Sequence, residues 1–165
     1  MNENKIEESP KPPYGKIRGW LILPAIGLIV NPVRLLILVA KDLWPEFSGE
    51  TWTILTTPGT RAYHPLWGPV LIFELVGNIV FVIGSILIAV FFFQKRKFVP
   101  KLIIVFLLSN LAFVAVDHLG ANAIPFIANQ SDAKSLKEIV RVVIACSIWV
   151  PYFLRSKRVK GTFIR

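Results

Sequence analysis

Four ionisable residues, Arg34, Glu74, Asp117 and Arg141, lie inside otherwise apolar runs of this chain. Charges in such surroundings mark proton relays, ion paths or polar substrate sites, or they lock the register of packed helices. Each of the four comes from a different run. At ~1.5 Å of rise per residue they fall roughly 6, 8, 9 and 7 Å, in the order Arg34, Glu74, Asp117, Arg141, to the same side of their helix midpoints. Two arginines and two acids therefore share one layer in the outer half of a bundle, and their formal charges cancel. An isolated charge at mid-helix costs ~2.5–3.5 kcal/mol on insertion scales. Glu74 and Asp117 are thus expected to pair with Arg34 and Arg141, with the choice of partner left open. The layer suits either a relay or substrate site, or a neutral structural network; neutrality and arginine's retention of its proton favour the network.

Asn31, Asn78 and Asn110 lie nearer mid-depth. They either extend a polar path inward or make interhelical hydrogen bonds worth ~0.6 kcal/mol each. Helical spacing turns these groups toward neighbouring helices: Glu74, Gly77, Asn78, Phe81, Gly84 and Ser85 share one stripe. Pro24, Gly27, Asn31 and Arg34 form another, as do Arg141, Ala145, Trp149 and Tyr152. Small and polar residues on one stripe permit close approach of helices.

Other reactive residue types do not assemble into a recognisable catalyst. No H-E-x-x-H, G-x-G-x-x-G or Walker pattern occurs. His64 and His118 are the two histidines. His118 follows Asp117 directly, and adjacent helix positions face different directions. Ser85 follows Gly84 without the surroundings of a nucleophile elbow. Cys146, the single cysteine, sits among apolar residues and excludes an intramolecular disulfide. The expectation is a non-enzyme with no cofactor and no metal site.

The elements that position the charge layer follow from hydropathy. Of 165 residues, 54% are hydrophobic and 18% charged, against about 25% charged in ordinary soluble domains. The apolar residues form four blocks, about 20–40, 66–93, 102–121 and 136–154, the last being the weakest. Each approaches the ~20 residues that cross ~30 Å of hydrocarbon. Backbone groups in lipid must be satisfied within their own segment, so the blocks are helices. The fold class is all-α, an integral membrane four-helix bundle over residues 19–154, with a polar tail at 1–18 and a basic tail at 155–165. The first block follows a polar tail, contains Arg34 and lacks a clear cleavage site, and so reads as a retained helix. Pro24 and Pro32 are expected to break or kink it.

Lys and Arg sort by connection. Four lie in the N-terminal tail (Lys5, Lys11, Lys16, Arg18), four around the second connection (Lys95, Arg96, Lys97, Lys101) and five in the C-terminal tail (Arg155, Lys157, Arg158, Lys160, Arg165). The other two connections hold Lys41, Arg61, Lys134 and Lys137. This alternation places both termini in the cytoplasm. It also accounts for the net charge of +9 without nucleic acid: the basic residues split among short flanks that suit anionic lipid headgroups instead. The first external loop, about 41–65, carries Trp44, Trp52, Tyr63 and His64. Its aromatics are expected at the headgroup interface, and a loop of this length also suits ligand binding. Asn122 to Ser135 forms a second external loop. Gly15 and Gly19 have dimer-motif spacing but precede the apolar stretch.

The chain resembles a bacterial inner-membrane family known as domain of unknown function 2569. The match lies in G-W-L-I-L-P-A-I-G-L at Gly19–Leu28, continuing through Asn31-Pro32 to Arg34-Leu35. It resumes at Tyr63–Trp67 and in F-E-L-V-G-N at Phe73–Asn78, and is most specific in I-W-V-P-Y-F-L-R-S-K-R-V-K-G-T-F at Ile148–Phe163. The resemblance implies a four-helix integral membrane protein and brings no activity, substrate or catalytic residue with it. In the matching tail, Trp149, Pro151 and Tyr152 are expected at the inner interface, with Ser156, Arg158, Thr162 and Phe163 beyond it. An anchor needs only Lys and Arg, so this fixed order suggests a docked segment, held either by the chain itself or by a partner or headgroup. The leading reading is a small accessory or interaction subunit of the bacterial cytoplasmic membrane, with a membrane-protein partner. The alternative is a transporter or channel component using the polar layer as its pathway.

Overall fold

The computed structural model describes residues 17–47, 49–128 and 133–164, without the side chains of 133–135. Lys5, Lys11, Gly15, Lys16 and Arg165, and part of the second loop, lie outside the described residues. Among the described residues every regular element is helical.

Helix α1 spans Gly19–Phe47. It opens with a 3₁₀ turn at Gly19–Leu21, is α-helical over Ile22–Leu38, widens to π-helix at Val39–Leu43 and closes at Trp44–Phe47. The elements that follow are α2 (Glu50–Thr56), α3 (Trp67–Phe93), α4 (Val99–Asn122), α5 (Pro125–Ala128), α6 (Ala133–Arg155) and α7 (Lys157–Thr162).

Of the break or kink expected at Pro24 and Pro32, the break does not occur, and α1 continues past both. Pro24 stands in the first turn of the α-helical stretch, where its missing N–H has no partner to lose. Pro32 is buried within the helix, which continues past it. The departure from α geometry comes later, at Val39–Leu43, just before Pro45. Proline cannot donate to the carbonyl four residues back, here Lys41, and its ring crowds that carbonyl; the wider π turn relieves the crowding.

Helices α1, α3 and α4 have 29, 27 and 24 residues and are apolar enough to cross a membrane. Helix α6, with 23 residues, matches them in length but carries Lys137, Glu138, Arg141 and Arg155. Among the described residues, three helices are thus long and apolar enough to cross a membrane.

α1 packs along α3, α3 against α4 and α4 against α6, while α1 and α6 do not pack along each other. The α3–α4 contact uses the small residues of the α3 stripe. The Phe113 ring occupies the place where a Cβ on Gly77 would stand, and Phe106 lies 3.2 Å from that of Gly84. Phe81 of α3 meets both rings, at 5.3 Å from Phe106 and 5.2 Å from Phe113.

Each end is closed by an apolar cluster. At the terminal end, Leu21, Phe92, Val99, Ile103, Phe153, Val159 and Phe163 pack together. At the loop end, Trp67, Leu71 and Ile124 are covered by Phe47, Trp52, Leu55 and Ile127. Trp52 therefore folds back onto the protein, stacked on Phe47 at 5.1 Å, while Trp44 stays exposed as an interfacial residue would.

Candidate functional site

The four long helices bring their polar residues to one small cavity of about 70 Å³. α1 contributes Asn31 and Arg34, α3 Glu74 and Asn78, and α4 Asn110 and Asp117. α6 adds Arg141 and also Glu138, which sequence spacing had not put in the layer.

Glu138 changes the pairing. Arg34 grips it with two hydrogen bonds, Nη2 to Oε1 at 2.9 Å and Nη1 to Oε2 at 3.3 Å. Arg141, three residues on in the same helix, also donates from Nη2 to Oε1. Among the described residues both arginines pair with Glu138, and the expected pairing of Glu74 and Asp117 with them does not form. The reason is positional: Glu138 and Arg141 share one face of α6, and the fork of Arg34 closes the gap to that face from α1. Glu74 and Asp117 stand on α3 and α4. Asp117 Oδ1 is buried without a hydrogen-bond partner among the described residues. Asn78, buried, donates to the Glu74 backbone carbonyl at 2.8 Å rather than across helices. The layer accordingly holds three carboxylates against two guanidiniums, not the expected equal numbers. The signal for Glu138 was present in the sequence as its i, i+3 spacing to Arg141.

Beside this cavity a groove of about 250 Å³ runs between α1 and α6, floored by α4. Its polar lining, Asn31, Asn110 and Arg141, gathers at the end next to the charge layer.

The remaining reactive side chains serve local structure. The His64 Nδ1 accepts from the Leu66 N–H at 3.3 Å. The Asn122 amide lies against the His118 ring and donates to the His118 carbonyl at 2.9 Å. Ser85, fully buried, donates to the Val82 carbonyl at 2.8 Å. The Cys146 thiol faces the Leu107 carbonyl at 3.4 Å. Among the described residues no three His, Cys, Asp or Glu side chains stand together as a metal site would need.

The C-terminal signature is seated on the chain itself. Helix α6 continues through Pro151 to Arg155. Ser156 caps α7, its Oγ accepting from the Val159 N–H at 3.4 Å. Val159, Thr162 and Phe163 are buried, and Phe163 meets Phe92 edge-on at 5.2 Å. Trp149 and Tyr152 also meet edge-on, at 5.7 Å. Arg158 Nη1 donates to the Arg18 carbonyl at 2.8 Å. Its guanidinium fills the space where a Cβ on Gly19 would lie, and Gly19 itself has φ +62°. The positive φ at 19 favours glycine there, and the absence of a Cβ leaves room for the Arg158 guanidinium.

Residues 14–164 match the family model for protein of unknown function DUF2569. The chain belongs to this family. Among curated proteins, this DUF2569 member is similar to the inner membrane protein YdgK of Escherichia coli (strain K12), with 29% identity over 154 residues covering 90% of this chain and 94% of the relative. No solved structure matches it significantly. The family description assigns no reaction.

Proposed function

We propose that this DUF2569 protein is a non-enzymatic accessory subunit of the bacterial cytoplasmic membrane, which docks to a neighbouring membrane protein through α6. The observation that carries this reading is the outward face of α6. Lys137 and Arg141, one turn apart, stand exposed on a shallow hollow otherwise made by Leu136, Val140 and Ile144. Lipid is a poor neighbour for such charges; a protein surface offering carboxylates or carbonyls is a good one. In this reading α6 is a fourth span, since ~1.5 Å per residue over its length gives about 35 Å. Glu138, shared by Arg34 and Arg141, and the long contact with α4 offset the cost of its charges. Both termini are then cytoplasmic, where the basic flanks meet anionic headgroups. The name of the E. coli relative supports the cytoplasmic-membrane location.

Native mass spectrometry of the protein extracted from its own membranes in mild detergent tests the reading. A stoichiometric complex with another membrane protein is expected, weakened by Lys137→Glu; a chain that runs free of any partner overturns it. A cysteine-accessibility map should place Thr57 outside and Lys97 inside, and both on one side would overturn the topology.

A second reading, a transporter or channel component, draws on Glu74 and Asp117, which line the cavity outside the Arg34–Glu138–Arg141 bridge and offer carboxyl groups to a proton or another cation. Asp117→Asn separates the two. Normal abundance with lost ion or solute flux favours transport, whereas loss of assembly favours the subunit.

A further inference from the structure

The groove between α1 and α6 is polar at one end only. α1 and α4 run from the terminal end toward the loop end, and α6 runs back. Leu23, Ile103 and Phe153 therefore line the groove at the terminal end, and Asn31, Asn110 and Arg141 line it near the charge layer. Arg141 is the one formal charge in that lining, and its ion-pair partner Glu138 stands outside the lining. Glu138 touches Arg141 but is held in the fork of Arg34, and the Arg141 side chain remains 47% exposed. Gly27 lies midway, and a Cβ there would have nothing within 4 Å. A long apolar slot headed by a guanidinium and two amides has the polarity of an amphiphile with an anionic head.

Size selects among occupants. An α-helix is about 10 Å across, whereas a single hydrocarbon chain is thinner, and a groove of about 250 Å³ takes part of one such chain. Guanidinium groups also match phosphate oxygens with two parallel hydrogen bonds. Because Cβ atoms tilt toward a helix's N-terminus, Arg141 extends toward the loop end, where a headgroup would enter.

We propose that this groove binds one acyl chain of an anionic phospholipid, with the phosphate held by Arg141 and the chain running past Gly27 toward Phe153. The inference rests on the membrane embedding of α6 proposed above, and not on the existence of a protein partner.

The test uses the full chain in detergent, with phosphatidylglycerol or zwitterionic phosphatidylcholine added in mixed micelles and bound lipid counted by native mass spectrometry. Wild type should retain one phosphatidylglycerol, about tenfold more tightly than phosphatidylcholine. Arg141→Gln should abolish that preference, and Gly27→Leu should remove bound lipid of both kinds at unchanged melting temperature. A phosphatidylglycerol bearing a photoreactive group in its chain should label peptides lining the groove in wild type, a readout that needs no variant to fold. Equal retention of the two lipids, a preference that survives Arg141→Gln, or labelling elsewhere would overturn the proposal. A partner complex without bound lipid would overturn this inference alone, and a lipid-loaded chain without a partner would overturn only the subunit reading.

Discussion

At the terminal end of the bundle Leu21, Phe92 and Val99 are 0% exposed, and the closing helix α7 adds Val159 at 1%. Along the seam between α1 and α6, Arg34 and Glu138 keep 36% and 33% of their side chains exposed. One region is sealed by apolar side chains from all four long helices and both tails; the other is bridged by a single carboxylate between two guanidiniums. Apolar burial is non-directional and gains from every added contact. An ion bridge depends on one geometry and leaves costly groups behind when it is lost. The sealed end is suited to holding the chain together, and the seam to meeting something outside it.

Three experiments test that contrast, in decreasing size of effect. Phe92→Ala removes a fully buried ring that contacts Phe163, and should cost about 3–5 kcal/mol. Thermal unfolding in detergent should show it as the largest loss, and a melting temperature near wild type would mean that the end is not a core. Glu138→Gln leaves Arg34 and Arg141 without a carboxylate. Breaking a buried pair costs ~3–5 kcal/mol and an exposed one ~0–1, so this half-exposed bridge should lose about 1–3 kcal/mol. Arg34→Met in the same background should recover part of that; no recovery would show that the bridge is not what the loss measures. The third compares two glycines. Gly77→Ala meets the Phe113 ring, whereas Gly27→Ala meets nothing. The first should destabilise by about 1–3 kcal/mol by overpacking and the second by little, so equal effects would mean that α1 and α6 close on each other in the membrane.

The long helices were legible because hydrocarbon imposes length and hydropathy on whatever crosses it. The block at 66–93 becomes Trp67–Phe93, and the polar residues proposed for one layer line one cavity. What sequence spacing does not carry is reach across helices. It ranks Arg34, Glu74, Asp117 and Arg141 by depth, yet the partner of both arginines is decided by which helix faces which gap. Glu138 stands near the start of its block and reads as a flank residue until α1 approaches. At Pro32 the sequence allows a break or a kink, and the fold shows a continuous helix with the proline buried. In the tail, Ser156, Thr162 and Phe163 signalled a docked segment, but only the fold shows that its seat is the chain's own Phe92.

The bond from Arg158 to Arg18 joins residues 140 positions apart. Closing so long a loop is slow compared with forming local helix contacts. A ribosome supplies ~5–20 residues per second, N-terminus first, so α1 enters the membrane many seconds before the tail that completes its seat exists. The terminal end therefore matures after the long helices that form it. Until it does, Leu21 and Phe92 offer an open apolar surface that Val159 and Phe163 have yet to cover.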